Sequence, residues 1–384
     1  MDQLLPAICT VSLGGQGVHP LPEKLKIAKE HGFKGIELFF DDLRLYAKPK
    51  RPNYNEDLIR GARHIRHICD ELDLTIVCLQ PFQNYEAATF RYHKDWIISS
   101  VLPIWIRLAH ILCAEVILLQ SNFTGDFPLP GGEPMVLEDT DTRVNDLREL
   151  ADMGAALWNQ LNQEEEQRSP AASTSRKAKP PAMIKFAYEA IPWAPHISTF
   201  DRALNMVGEV DRPNFGVCID TFNIAASLYA APELFPDGIK SMGEFNMRST
   251  LMLLGRIKLY KPSEGPHKVF YVQLADGEKF ADPSPFMRRT GSTSDVHLLN
   301  PKQKWSEQAR LFPFEDKGIL QEKCAGFWPM KELATAIFKR LPYSGWVSFE
   351  VSSASAMDND ARTPLRHVRR AVVSWNKLID ELES

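Results

Sequence analysis

VFYVQLADGE, residues 269–278, opens as a buried strand: Val269, Phe270, Tyr271 and Val272 are apolar and β-favouring. Gln273 then falls where the run should still be apolar, and Asp276 follows three residues later. A carboxamide in such a run needs hydrogen-bond partners or a ligand. The longer run KVFYVQLAD (268–276) has seven counterparts: AICTVSL (7–13), GIELFF (35–40), TIVCLQP (75–81), EVILLQS (115–121), IKFAYEA (184–190), FGVCIDT (215–221) and GWVSFEV (345–351). Most are continuously apolar rather than alternating, the pattern of parallel strands covered on both faces. Amphipathic stretches separate them. PEKLKIAKEHG begins with Pro and ends at Gly32, and NEDLIRGARHIRHICDELD spaces Leu58, Ala62, Ile65 and Ile68 three and four apart. DWIISSVLPIWIRLAHILCA reads as one buried helix carrying Pro103. Eight strand–helix units predict a (β/α)₈ TIM barrel forming a single domain over 1–384. A doubly wound open sheet is the competing architecture, but no Gly-rich phosphate fingerprint follows the first run.

The strand ends carry the chemistry. Glu37 lies on the second run, Gln80 on the third, Gln120 on the fourth, Glu189 on the fifth, Asp220 on the sixth, Gln273 on the seventh and Glu350 on the eighth. All strands of a barrel end on one face, where barrel enzymes place their active sites. Any one of these residues alone reads as a rim group paired with a neighbouring Arg or Lys. Four on successive strands at one depth read as a set. Three carboxylates brought together repel one another unless a cation joins them. Glu189, Asp220, Gln273 and Glu350 are therefore predicted to hold one divalent metal, and their oxygen-only donors suit Mg²⁺ or Mn²⁺.

Composition bounds the alternatives. The chain has 384 residues, 44% of them hydrophobic, enough to bury a large core. Its net charge of −4 and the absence of a long basic stripe argue against general nucleic-acid binding. The short KAKPPAMIK stretch reads as a solvated loop. Six cysteines form no CxxC pair, which predicts reduced thiols and a cytoplasmic protein. No signal-peptide pattern and no run approaching ~18–20 uncharged apolar residues is evident, so no membrane association is expected. Residues 163–182, polar and rich in Pro, Ser and Ala, are expected to form a disordered insert on the side away from the chemistry. Residues 277–329 are expected to form a long active-site loop.

The motifs GIELFFDDL, CLQPF, FAYEA, DRPNFGVCIDTFNIA, KVFYVQLADGE, RLFPFE and GWVSFEV carry a resemblance over nearly the whole chain outside 163–182. The chain resembles the fungal 3-dehydroshikimate dehydratases of quinate and shikimate catabolism, within the xylose-isomerase-like TIM-barrel superfamily. The resemblance implies a lyase that converts 3-dehydroshikimate to protocatechuate with loss of water, using a divalent metal (Mn²⁺, Co²⁺ or Mg²⁺). It makes Glu189, Asp220, Gln273 and Glu350 the metal ligands. It makes Arg310 the partner of the substrate carboxylate, with a staple to Glu307 or Glu315 as the structural alternative. Gln80, Trp193 and Asn223 are the remaining candidates for substrate contact, and His196 and Glu37 are candidates for the general base. Asn223 stands where bacterial relatives carry a His. Glu307 stands where the family pattern has an Arg, and GGQG (14–17) where it has an Arg after the first strand. A sugar isomerase or epimerase on the same metal barrel is a rival reading, as is a non-catalytic paralogue. A metal phosphodiesterase would call for more His ligands and a basic surface.

Overall fold

Along the seventh run, Tyr271 and Gln273 face the barrel interior while Val272 and Leu274 pack outward against helices. The same division holds around the barrel. Ala7, Val77, Cys78, Leu118, Ala187, Cys218 and Tyr271 form the inner cluster. Ile8, Ile36, Leu79, Phe186, Val217 and Val272 belong to the larger core between strands and helices. Both faces are dry, which is why the runs look continuously apolar.

The computed structural model describes residues 4–124, 135–167, 178–230, 239–257, 268–279, 300–317 and 325–384. The barrel strands are β1 (Leu4–Cys9), β2 (Gly35–Phe39), β3 (Thr75–Phe82), β4 (Val116–Gln120), β5 (Lys185–Glu189), β6 (Phe215–Asp220) and β7 (Val269–Leu274). Two short strands follow, β8 (Asp276–Gly277) and β9 (Arg310–Leu311), and then β10 (Gly345–Phe349) completes the barrel. The strands are parallel and close in the order β1-β10-β7-β6-β5-β4-β3-β2. At Gly35 the wall is tight: a Cβ would lie 2.7 Å from the Trp346 ring and 2.9 Å from the Ala7 Cβ. Only glycine fits there without a shift.

Register sets the site. Gln120 pairs with Glu189, Asp220 with Gln273, and Gln273 with Ser348. Gln120 and Glu189 thus share one level, and Asp220, Gln273 and Ser348 another, all at the C-terminal ends of their strands. Glu350 lies one residue past β10 and two past Ser348, so the two-residue period of a strand turns it toward the same side.

Two local details differ from the sequence-based expectation. The first run begins earlier and ends at Cys9, and Thr10–Leu13 turns into a 3₁₀ segment. There Ser12 donates to the Phe349 carbonyl and accepts from the Val351 N–H, so a polar side chain takes over the ladder. The apolar stretch expected as one helix comprises Arg91–Trp96, a wider π-type turn at Ile97–Val101, and Leu102–Leu112. Pro103 lacks an N–H and its ring crowds the carbonyl four residues back, which accounts for the widened turn. Arg91–Leu112 is long and apolar enough to cross a membrane by length and composition, yet Leu102, Ile106, Leu108 and Leu112 are buried in the core.

The two long inserts fall partly outside the described residues. Of the stretch 163–182, residues 163–166 continue the helix Thr140–Glu166. Its far edge is held where the Ala178 carbonyl accepts from Cys113 and the Pro181 carbonyl from Trp158. Residues 168–177 lie outside the description, and so do 280–299 and 318–324 of the long connection.

The C-terminal helix Thr363–Glu383 closes the barrel against the β1 turn through His367. Its Nδ1 lies 2.9 Å from the Ser12 carbonyl and its Nε2 3.0 Å from the Ser355 hydroxyl. A neutral ring with the proton on Nδ1 satisfies both contacts. Burial, and then the charge of Arg370, push the imidazole down to about 4. A base with a depressed folded-state pKa contributes stability that is present above its ordinary pKa of about 6.5 and lost as pH falls toward 4. The slope approaches ~1.4 kcal/mol per pH unit per proton. Urea unfolding between pH 4.5 and 7 should therefore be less steeply pH-dependent in His367→Gln than in the wild type. Equal slopes would remove His367 from this role.

Candidate active site

Each strand-end residue is held by a specific partner. Glu189, at the end of β5, accepts from Asn223 Nδ2 at 2.8 Å through Oε1 and from Gln120 Nε2 at 3.1 Å through Oε2. Asp220, at the end of β6, caps the helix Thr221–Leu228: its Oδ1 accepts from the Phe222 N–H at 2.7 Å and the Asn223 N–H at 3.4 Å. That leaves Asp220 Oδ2 facing the barrel mouth. Gln273 donates from Nε2 to Glu37 Oε1 at 2.5 Å, while its Oε1 accepts from Cys218 Sγ at 3.2 Å. Glu350 accepts from Gln80 Nε2 at 3.4 Å through Oε1. All four residues are buried.

Glu37 sits under this group. Besides Gln273 it accepts from Ser348 Oγ at 2.5 Å and Tyr271 OH at 3.3 Å. This contact takes the NH₂ end of Gln273 and leaves its amide carbonyl on the other side, where it accepts from Cys218 Sγ. In this arrangement Glu37 orients Gln273.

Arg310 enters from β9. Its Nη1 donates to Asp220 Oδ2 at 2.9 Å and to Glu350 Oε2, and it also reaches the Glu350 carbonyl at 3.2 Å. Ser306 Oγ accepts from Nε at 3.1 Å and from Nη2 at 2.8 Å. The guanidinium carbon lies 4.4 Å over the Phe222 ring. Trp305, Leu311 and Phe312 are buried and anchor this segment, while Phe314 is only partly buried. Trp305 packs against Phe222 at 5.4 Å and stacks on Trp328 at 5.4 Å; such pairs add ~0.5–1.5 kcal/mol beyond burial. The guanidinium, however, turns into the cluster. Neither staple partner named from sequence takes it: Glu315 pairs with Arg370, and Glu307 accepts from Gln303.

The electrostatics follow from the count of charges. Glu189, Asp220 and Glu350 share one buried guanidinium, with Glu37 buried close by. Burial, then Asp220 and Glu350, push Glu189 well above the ordinary carboxylate range. Glu350 is pushed up to about 7 by burial and Asp220 against the pull of Arg310. Burial and Glu350 push Glu37 up to about 8. Negative charge is in excess here, and a divalent cation would relieve it.

The donor set fits a divalent metal in kind: three carboxylates, one oriented amide carbonyl, and oxygen donors throughout. It is not drawn into a ready coordination sphere. Among the described residues no three acidic, imidazole or thiol groups are arranged around one metal position. The expected convergence is modified by Arg310, whose Nη1 stands between Asp220 and Glu350.

Of the other candidates, Gln80 and Asn223 join the cluster. Asn223 bridges, donating to Glu189 and placing its Oδ1 3.5 Å from Arg310 Nη2. His196 is placed elsewhere: its Nε2 lies 3.2 Å from the Val136 carbonyl, and its own carbonyl accepts from Arg202. The β5–helix turn carries it to a contact that a strand-end count does not foresee. Trp193 packs edge-on against Phe123 at 6.1 Å, and its buried indole N–H has no hydrogen-bond partner among the described residues. Ser306, Ser348 and Phe222 were not anticipated. Ser348 was legible in principle, as a polar residue two before Glu350 on the inward face; Ser306 depends on how the long connection folds back.

The model of the family described as xylose isomerase-like TIM barrel matches residues 25–371. A 3-dehydroshikimate dehydratase from Neurospora crassa is 32% identical over 98% of this chain and 94% of its own length. A 3-dehydroshikimate dehydratase from Pseudomonas putida is 27% identical over 70% of this chain but only 30% of its own, so the chain spans less than a third of that relative. A solved structure of IOLI protein with a binding zinc atom superposes with a TM-score of 0.60 at 14% identity, covering 99% of this chain and 98% of that one, and shows the shared fold. With a closed eight-stranded parallel barrel, a family match across most of its length and a relative above 30% identity, the chain belongs to the xylose isomerase-like TIM barrel family.

Proposed function

We propose that this protein is a 3-dehydroshikimate dehydratase, a hydro-lyase that eliminates water to give protocatechuate. Glu189, Asp220, Gln273 and Glu350 would hold one divalent metal, Mn²⁺, Co²⁺ or Mg²⁺. The observation that carries this reading is the buried carboxylate–carboxamide cluster at the strand ends, in a chain alignable end to end with a relative named for this activity. The cysteines at Cys9, Cys69, Cys78, Cys113 and Cys218 are buried thiols, in keeping with a cytoplasmic enzyme.

When bound, the metal supplies Lewis-acid polarisation of the substrate ketone. The rest is done by the chain. Loss of a proton α to the carbonyl, departure of the β-hydroxyl as water and tautomerisation turn the ring aromatic. Asn223 and Gln120 fix both oxygens of Glu189, and Glu37 fixes the amide of Gln273, so the donors are set before substrate arrives. Burial of the cluster, with the packed rings of Phe222, Trp305 and Trp328 alongside Arg310, keeps the dielectric low around developing charge. Arg310 supplies the positive charge that the substrate carboxylate needs.

Incubation with 3-dehydroshikimate and Mn²⁺, followed by the rise of catechol absorbance, tests the reaction class. An isomerase or epimerase would move a proton without losing water and give no aromatic signal. A non-catalytic paralogue would bind without turnover.

A further inference from the structure

We infer that Arg310 is an internal cation that competes with the divalent metal for Asp220 and Glu350, so that metal binding and withdrawal of the guanidinium form one coupled event. The inference rests on the metal reading above. Asp220 has one oxygen committed to the helix N-terminus, leaving Oδ2 for the cluster. Glu350 has one oxygen on Gln80, leaving Oε2. Arg310 Nη1 binds both of these oxygens at once. A divalent ion bonds carboxylate oxygens at about 2.0–2.6 Å. A guanidinium nitrogen on the same two oxygens would then face the ion across only a few ångströms in a buried site, where like charges repel strongly. The two cations cannot share the pair.

The guanidinium is planar and rigid, so its nitrogens move together. Ser306 holds Nε and Nη2, and the carbon lies over Phe222, so these contacts keep Nη1 on the two acids. Withdrawal of Nη1 from Asp220 and Glu350 therefore moves the whole group and loosens its hold on Ser306. The withdrawn guanidinium, no longer neutralised by the two acids, is then available to an anionic ligand. By linkage, whatever weakens the hold of Arg310 on the acids tightens metal, and bound metal favours an anion at Arg310.

The test is metal affinity, measured without substrate. Wild type, Arg310→Met and Ser306→Ala are stripped with chelator, dialysed and titrated with Mn²⁺ in a calorimeter at one pH. Arg310→Met should bind Mn²⁺ about tenfold tighter or more, because a competitor is removed and the acids are left without a cation. Ser306→Ala, which keeps the charge and disturbs packing little, should tighten binding by roughly threefold. It decides the matter if the metal-free Met variant does not fold. Arg310→Met and Ser306→Ala affinities equal to or weaker than wild type would overturn the competition while leaving the metal reading intact. No binding to any of the three proteins at millimolar Mn²⁺ would overturn both.

Discussion

Asp220→Ala is expected to abolish turnover, by about 10³-fold or more in kcat/KM, and to destabilise the fold by several kcal/mol. Asp220 does three things with two oxygens. It caps the helix Thr221–Leu228, accepts from Arg310, and stands in the predicted ligand set. Losing a cap costs ~1 kcal/mol. Breaking a buried ion pair by removing one partner costs ~3–5 kcal/mol, because the other charge stays buried. Here Glu350 still faces Arg310, which keeps the loss toward the lower end. Asp220→Asn separates the roles. Its amide oxygen can still accept from the Phe222 and Asn223 N–H groups, so most of the capping stability returns. The charge does not return, and neither should metal binding or activity. Urea unfolding and steady-state kinetics on the two variants read the roles independently. An Asp220→Asn enzyme with wild-type kcat/KM would remove Asp220 from the ligand set.

Glu37→Gln should lower metal affinity by about 10- to 100-fold while costing little stability, the effect expected when a ligand loses the partner that orients it. Glu37 takes three donors, from Gln273, Ser348 and Tyr271. A glutamine has one acceptor oxygen where the carboxylate has two, so it cannot hold Gln273, Ser348 and Tyr271 as Glu37 does, and the amide of Gln273 loses part of its orientation. Glu37→Ala differs in kind. It strands up to three buried donors at ~1–3 kcal/mol each, and should fail chiefly in folding. Calorimetric titration with Mn²⁺ on Glu37→Gln, alongside its melting temperature, distinguishes an orienting residue from a packing one. Unchanged affinity would mean that Gln273 is held by something else.

The barrel could be read from sequence because one physical rule governs each strand: both faces are largely apolar, and the inward positions turn polar toward the mouth. That rule gives Glu37, Gln80, Gln120, Glu189, Asp220, Gln273 and Glu350 without coordinates. What it misses is long-range. Arg310 meets Asp220 across ninety residues of chain, and its direction is set by Ser306 and by the Phe222 ring rather than by any periodic pattern. A sequence shows that a basic residue lies near the mouth; it does not show which acid it faces. His196, a candidate for the general base, follows Glu189 by seven residues, yet the turn after β5 carries it to the Val136 carbonyl. Pro103 was visible, yet its consequence, a π-type turn rather than a continuous helix, depends on how the neighbouring core takes up the extra width.

The central claim is that water elimination depends on a divalent metal held at this cluster. The most direct measurement takes wild-type protein stripped with chelator and adds 3-dehydroshikimate, first alone and then with Mn²⁺, Co²⁺ or Mg²⁺ restored, recording catechol absorbance against time. The account predicts no product from the stripped protein and recovery with at least one of the three ions. Full activity in the stripped protein, or no product with any of the ions, would contradict it.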